Sequence, residues 1–105
     1  MTSNNTEKKT LKRIAHHLDC VVTVGDKGLT ENVLAETERA LADHELIKVR
    51  IASSDREERV AVGEKIAASC QAEVVQRIGK VVVLFRANPK ANVKLSNLHR
   101  FSGGA

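Results

Sequence analysis

Residues 20–31 read Cys-Val-Val-Thr-Val-Gly-Asp-Lys-Gly-Leu-Thr-Glu, and this stretch decides the fold. Cys20 to Val24 is short and β-branched, the signature of a buried strand. Gly25-Asp26-Lys27-Gly28 breaks it. Thr30 then caps a helix, with Glu31 in its first turn near the positive end of the helix dipole. A strand passing into a helix through a Gly-x-x-Gly turn is an arrangement that holds anions. Two glycines three apart let backbone approach a ligand with no Cβ in the way, and the free amides of the turn face outward. Lys27 adds a point charge. KH modules clamp four nucleotides of RNA backbone with a loop of this kind.

Upstream, Leu11, Ile14, Ala15 and Leu18 fall at i, i+3, i+4 and i+7, which predicts an amphipathic helix over about residues 6–18. Downstream of the loop, Val33, Leu34, Ala40 and Leu41 give the second helix an inner face ending near Asp43. In Leu46–Ile51, Ile47, Val49 and Ile51 alternate with Lys48 and Arg50, so a half-buried strand carries two cations on one face, while Leu46 is out of phase. Ser54 and Glu57 form a capping box for a third helix, whose buried stripe is Val60, Gly63, Ile66, Ala67 and Cys70. A mid-helix glycine at 63 costs about 1 kcal/mol relative to alanine, and close packing on the sheet accounts for it. Residues 73–78 and 81–86 are strand-like and separated only by Gly79-Lys80, which suits a type II′ hairpin.

The expected order is α-β-α-β-α-β-β in the α+β (α/β-like) class. One mixed four-stranded sheet is backed by helices in a two-layer core, with right-handed crossovers between parallel neighbours and one antiparallel hairpin pair. Residues 1–86 make one domain. From Ala87 onward Pro89, three asparagines and Ser-Gly-Gly-Ala predict a flexible basic tail, residues 87–105.

Charge is sorted along the chain. Residues 1–18 carry a net +3 from Lys8, Lys9, Lys12 and Arg13 against Glu7, and residues 19–73 a net −5. After Glu73 no acid appears, and Arg77, Lys80, Arg86, Lys90, Lys94 and Arg100 supply +6. The overall +4 therefore conceals two basic ends, a distribution that suits a polyanion. Phe85 and Phe101 are the only aromatics of the Phe, Trp and Tyr class, which argues against a base-stacking platform and for contact through phosphates. No apolar run approaches a membrane span and the N-terminus has no signal-like apolar region, so a cytoplasmic protein is expected. Cys20 and Cys70 lack ligand companions and read as buried thiols in a reducing compartment.

No chemistry of catalysis is legible. No Walker lysine-serine pair follows the loop, and no paired carboxylates or Ser-His-Asp or Cys-His set can be read. His16-His17, His44 and His99 lack metal-ligand spacing; adjacent His16 and His17 point about 100° apart on a helix. His16 is instead a candidate for phosphate or base-edge contact.

Several blocks together resemble a known family. They are Leu11-Lys12, Ala15-His16, Val21-Val22, Val24-Gly25 and Gly28-Leu29-Thr30-Glu31, then Ala40-Leu41 and His44-Glu45-Leu46-Ile47-Lys48-Val49, then Ile78-Gly79 and Val83-Leu84-Phe85-Arg86. Over about residues 8–86 the chain is similar to the YhbY family, the stand-alone bacterial form of the CRM domain (chloroplast RNA splicing and ribosome maturation). The resemblance implies a fold related to the C-terminal domain of bacterial translation initiation factor three, and RNA binding through the Gly-x-x-Gly loop. Stand-alone bacterial members are linked to maturing large ribosomal subunits, and plant organelle members to intron splicing. Gly25 and Gly28 match the loop glycines, with Asp26 and Lys27 at the tip, and Lys12, His16, Lys48 and Arg86 match basic or polar positions. Three departures are visible: Asp19-Cys20 in place of Lys-Pro, Asp26 in place of Lys, and Phe85 in place of Tyr. A carboxylate at the tip of a phosphate-binding loop weakens contact there, and Lys27 offsets it.

The expectation is a monomeric RNA-binding protein with no cofactor and no enzyme activity, acting on large-subunit ribosomal RNA or its precursors, not on DNA or membranes. Its contact residues would be Gly25, Asp26, Lys27, Gly28, Lys12, Arg13, His16, Lys48, Arg50, Lys80 and Arg86. The alternatives are a ribosome-associated protein–protein adaptor and a small phosphate- or nucleotide-binding enzyme.

Overall fold

A computed structural model describes residues 5–25 and 27–87, so Asp26 and the expected tail from residue 88 lie outside the described residues. Seven elements follow one another: α1 (Asn5–Ala15), β1 (Cys20–Val24), α2 (Glu31–His44), β2 (Leu46–Ile51), α3 (Arg56–Ser69), β3 (Glu73–Ile78) and β4 (Val81–Phe85). This is the expected order. α1 is shorter than its periodicity predicts, because the chain leaves the helix after Ala15 through a turn at His16-His17.

The strands form one sheet in the order β1-β2-β4-β3. β1 and β2 are parallel, and β4 pairs antiparallel with both β2 and β3. The expected run of parallel neighbours is thus interrupted, since β4 inserts between β2 and β3. Composition explains the insertion. β4 is wholly apolar and buries Val82, Val83 and Leu84, so it takes a central position. β3 carries Glu73, Gln76 and Arg77 and takes the edge, where polar side chains meet water. The Gly79-Lys80 connection is the expected hairpin: Ile78 pairs with Val81, and Gly79 has φ +55° whereas Lys80 is not among the positive-φ residues.

The two-layer expectation is also corrected. Side chains alternate across a strand, and here both faces of the sheet are covered. Ile47, Val49, Ile51, Val22, Val24, Val82 and Leu84 face α2 and α3, joining Leu41, Ile66, Ala67 and Cys70 in the larger core. Leu46, Val75 and Val83 face the other way and meet Leu11, Ile14 and Ala15 of α1. Leu46 therefore looks out of phase because it belongs to the second core. It is completely buried, and a leucine side chain so placed contributes roughly 2 kcal/mol. Irregular pairing between Val74 and Gln76 marks a bulge that turns Val75 to the α1 side.

Helix ends follow local chemistry. The amide of Val33 donates to Thr30 Oγ1 at 3.2 Å, the cap read from the sequence. For α3 the cap is Asp55 rather than Ser54: its carboxylate accepts from the Glu57 amide at 3.0 Å. Ser53 supports that turn by accepting from the Asp55 amide and donating to Glu58. Val60 is half-buried, while Gly63, Ile66, Ala67 and Cys70 form the buried stripe. Gly63 does lie on the sheet, but a Cβ there would sit 3.7 Å from Ile51 Cδ1 and from Val82 Cγ2, an ordinary contact. Packing does not require glycine at this position.

Candidate nucleic-acid interface

β1 delivers its last residue, Val24, to the Gly25–Gly28 turn at one end of the sheet. The Gly28 amide donates to the Gly25 carbonyl at 3.0 Å and closes the turn. Gly28 has φ +71°, a conformation in which a side chain is strained, so the backbone itself favours glycine there. At Gly25 a Cβ would meet nothing within 4 Å, as at Gly28, and the backbone is open to a ligand on that side. Lys27 is exposed on the turn.

Two backbone bonds fix the neighbours of this loop. The Ala52 amide donates to the Val24 carbonyl at 3.0 Å, and the Ile51 amide to the Lys80 carbonyl at 2.7 Å. The end of β2 is therefore flanked by the loop on one side and the hairpin tip on the other. Lys27, Arg50 and Lys80 are all exposed and share this end of the sheet.

A second group gathers on the α1 face. Lys12, Arg13 and His16 from the end of α1, with Lys48 from β2, line one cavity of about 290 Å³. His17, Gln76 and Ile78 line it too, and none of these three was singled out as a contact residue from sequence. The turn that ends α1 brings the His16 and His17 rings edge to face, with centroids 6.0 Å apart. This differs from the divergent pair expected on a continuing helix. Ile78 and Val21 are the exposed large apolar side chains among the described residues, at 51% and 48%. Such exposure on a strand would have been hard to read without knowing that α1 covers only one end of this face.

The two groups are joined through β2. Lys48 and Arg50 are two residues apart, so they lie on the same face of the strand, opposite Val83 and Val81 of β4 respectively. A cationic strip thus runs from the end of α1, over β2, to the loop and the hairpin tip. Ten of the eleven residues selected from sequence can be located; Asp26 lies outside the described residues.

Arg86 stands apart. It follows β4 at the opposite end of the sheet from the loop, and its side chain is 22% exposed. One nitrogen, Nη1, pairs with the Glu38 carboxylate of α2 and also donates to the Cys70 carbonyl at the end of α3 at 2.9 Å. The guanidinium is engaged in tying two helices to the sheet. Cys70 is buried as expected, and burial, followed by the nearby Glu38 carboxylate, pushes its thiol pKa up; the Arg86 charge opposes that shift. Cys20, by contrast, is exposed, which corrects the reading of two buried thiols. It begins an edge strand whose first buried position is Val22.

Among the described residues no group of three or more His, Cys, Asp or Glu side chains could hold a metal ion, and no helix is long and apolar enough to cross a membrane. What the strip can do is neutralise phosphates along a path and offer amides to one of them.

Comparison with known proteins agrees with this architecture. A Pseudomonas aeruginosa protein named as a probable RNA-binding protein is 48% identical over 103 residues, covering 98% of this chain and 99% of its own length. A Haemophilus influenzae RNA-binding protein is 46% identical over 94 residues, covering 90% and 95%. The solution structure of a Staphylococcus aureus protein superposes with a TM-score of 0.76 at 25% identity, over 87% of this chain and 95% of that one. The model of the CRS1 / YhbY (CRM) domain matches residues 4–86, and the chain belongs to that family.

Proposed function

We propose that this protein binds ribosomal RNA or its precursor through the backbone, holds a local RNA fold during large-subunit assembly, and performs no catalysis. The observation that carries the reading is the continuous strip of Lys12, Arg13, His16, Lys48, Arg50, Lys80 and Lys27 ending at a Gly-x-x-Gly turn. Phosphate contacts fix position and dominate affinity, and the strip is made of cations and histidine without Phe, Tyr or Trp. The names of the Pseudomonas and Haemophilus relatives support RNA as the partner. The protein acts as a monomer in the cytoplasm, in keeping with a surface whose large exposed hydrophobics, among the described residues, are Val21 and Ile78.

The test is sedimentation of the protein with cell extract through a sucrose gradient at low and moderate salt, beside Lys27→Glu. Wild type travelling with large-subunit precursors while the variant stays at the top is the expected result. Both variants travelling equally would favour a protein–protein adaptor, and both remaining at the top would remove the ribosome as target. In a purified titration against single-stranded RNA, four to six neutralised phosphates give a log–log salt slope of roughly −3 to −4; a slope near zero excludes this mode.

A further inference from the structure

On the other side of the hairpin tip, facing α3, lies a cavity of about 280 Å³ lined by Arg56, Arg59, Arg77 and Lys80 with aliphatic side chains of β2, α3 and β4. Four cations and no carboxylate line it. Of the acids nearby, Asp55 caps α3 and Glu58 accepts from Ser53, while Glu64 meets Arg77 of the lining at 3.4 Å, with both side chains well exposed. Arg59 is anchored at one end, its Nη1 donating to the Ser53 carbonyl at 3.0 Å. Its Nε is buried and has no hydrogen-bond partner. Arg59 thus keeps one unpaired donor on a side chain that lines a cavity of cations, a setting that favours an anion.

We propose that this cavity is a second phosphate subsite, taking a backbone phosphodiester of the same RNA strand that the Gly25–Gly28 loop holds; it rests on the RNA-binding reading above. Lys80 belongs to both places. Its residue forms the hairpin tip that flanks β2 beside the loop, and its side chain lines the arginine cavity. A strand leaving the loop and crossing the tip therefore descends toward Arg56, Arg59 and Arg77. Guanidinium forks match phosphate oxygens in pairs. The remaining lining is aliphatic, with no aromatic side chain to stack a base, and the subsite proposed here takes phosphate oxygens. It lengthens the RNA footprint around the end of the sheet.

The experiment measures binding of unstructured RNA oligonucleotides of stepwise increasing length, at several salt concentrations, to wild type and to an Arg56→Gln, Arg77→Gln variant. Short oligonucleotides bind both equally. Beyond the length that reaches the tip, wild-type affinity rises further, whereas the variant loses that increment and its log–log salt slope is shallower by about 0.7 for each phosphate lost. An identical length increment and slope in the two proteins overturns the subsite and leaves the loop reading intact. No binding by wild type at any length overturns both. A second measurement needs no substitution: the Arg59 Nε–Hε resonance of the wild type should shift on adding long RNA and stay in place with short RNA. Inorganic phosphate at the same phosphate concentration shifting it equally would make this a free-anion site and overturn the proposal.

Discussion

Replacing Arg86 by methionine separates a structural role from an RNA-binding one. The aliphatic stem of arginine is retained in shape, and the guanidinium is removed. The charge-assisted bond to the Cys70 carbonyl, at 2.9 Å on a side chain only 22% exposed, accounts for about 1.5–3 kcal/mol. The pair with Glu38 adds less than about 1 kcal/mol, because that carboxylate is 56% exposed and is re-solvated when its partner leaves. A loss of about 2 kcal/mol follows. For a domain of this size each kcal/mol moves the melting midpoint by roughly 4–8 °C, so the fall is about 8–16 °C. Circular dichroism melting reads the shift, and RNA titration at a temperature where both proteins are folded reads affinity, which is expected to be unchanged. A melting point within about 2 °C of wild type, together with a clear loss of RNA affinity, would refute the assignment of Arg86 to the helix–sheet tie.

Gly63→Ala should stabilise the domain by up to about 1 kcal/mol, since the new methyl finds ordinary contacts on Ile51 and Val82 and the helix gains propensity; urea unfolding measures it. Gln71→Gly should also stabilise, by about 0.5–1 kcal/mol. Gln71 ends α3 at φ 54°, with its own amide donating to Ala68 and the next, Ala72, to Ala67, an arrangement that favours glycine. A lower unfolding midpoint in that variant would show that its side chain has a compensating contact. In native protein iodoacetamide should modify Cys20 alone, with Cys70 reacting only after denaturation, and intact mass separates one adduct from two. Early labelling of Cys70 would mean that the α3 end opens readily.

Local signals were legible and relations across the sheet were not. Thr30 as a cap, the Gly79-Lys80 hairpin and the element order each rest on a few adjacent residues, and the structure contains all of them. The placement of α1 could not be read, because an amphipathic helix packs equally well on either face until something like Leu46 is recognised as a second buried side. Asp55 and Ser54 are both good caps one residue apart, so the sequence alone does not choose between them. At the site, the loop and the cations of α1 and β2 stood out as residue types in a pattern. Arg56 and Arg59 did not, because they sit among the acids of the middle segment, while Arg77 lies beyond Glu73 in the basic part of the chain, and only folding brings the three onto one wall. Arg86 looked like its neighbours in charge, and nothing near it in sequence announces Glu38 or Cys70.

The central place of β4 has a consequence for synthesis. β2 and β3 are not hydrogen-bonded neighbours; each joins the other through β4, the last strand among the described residues. A chain growing from the ribosome can pair β1 with β2 and form its three helices, yet the sheet stays in two pieces until Phe85 has emerged. Until then both inner edges present unpaired backbone, and the apolar side chains of β2 lack their neighbour on one side. Completion of this sheet is therefore held back until β4 has been made, and it reports that the strands of the domain have left the exit tunnel.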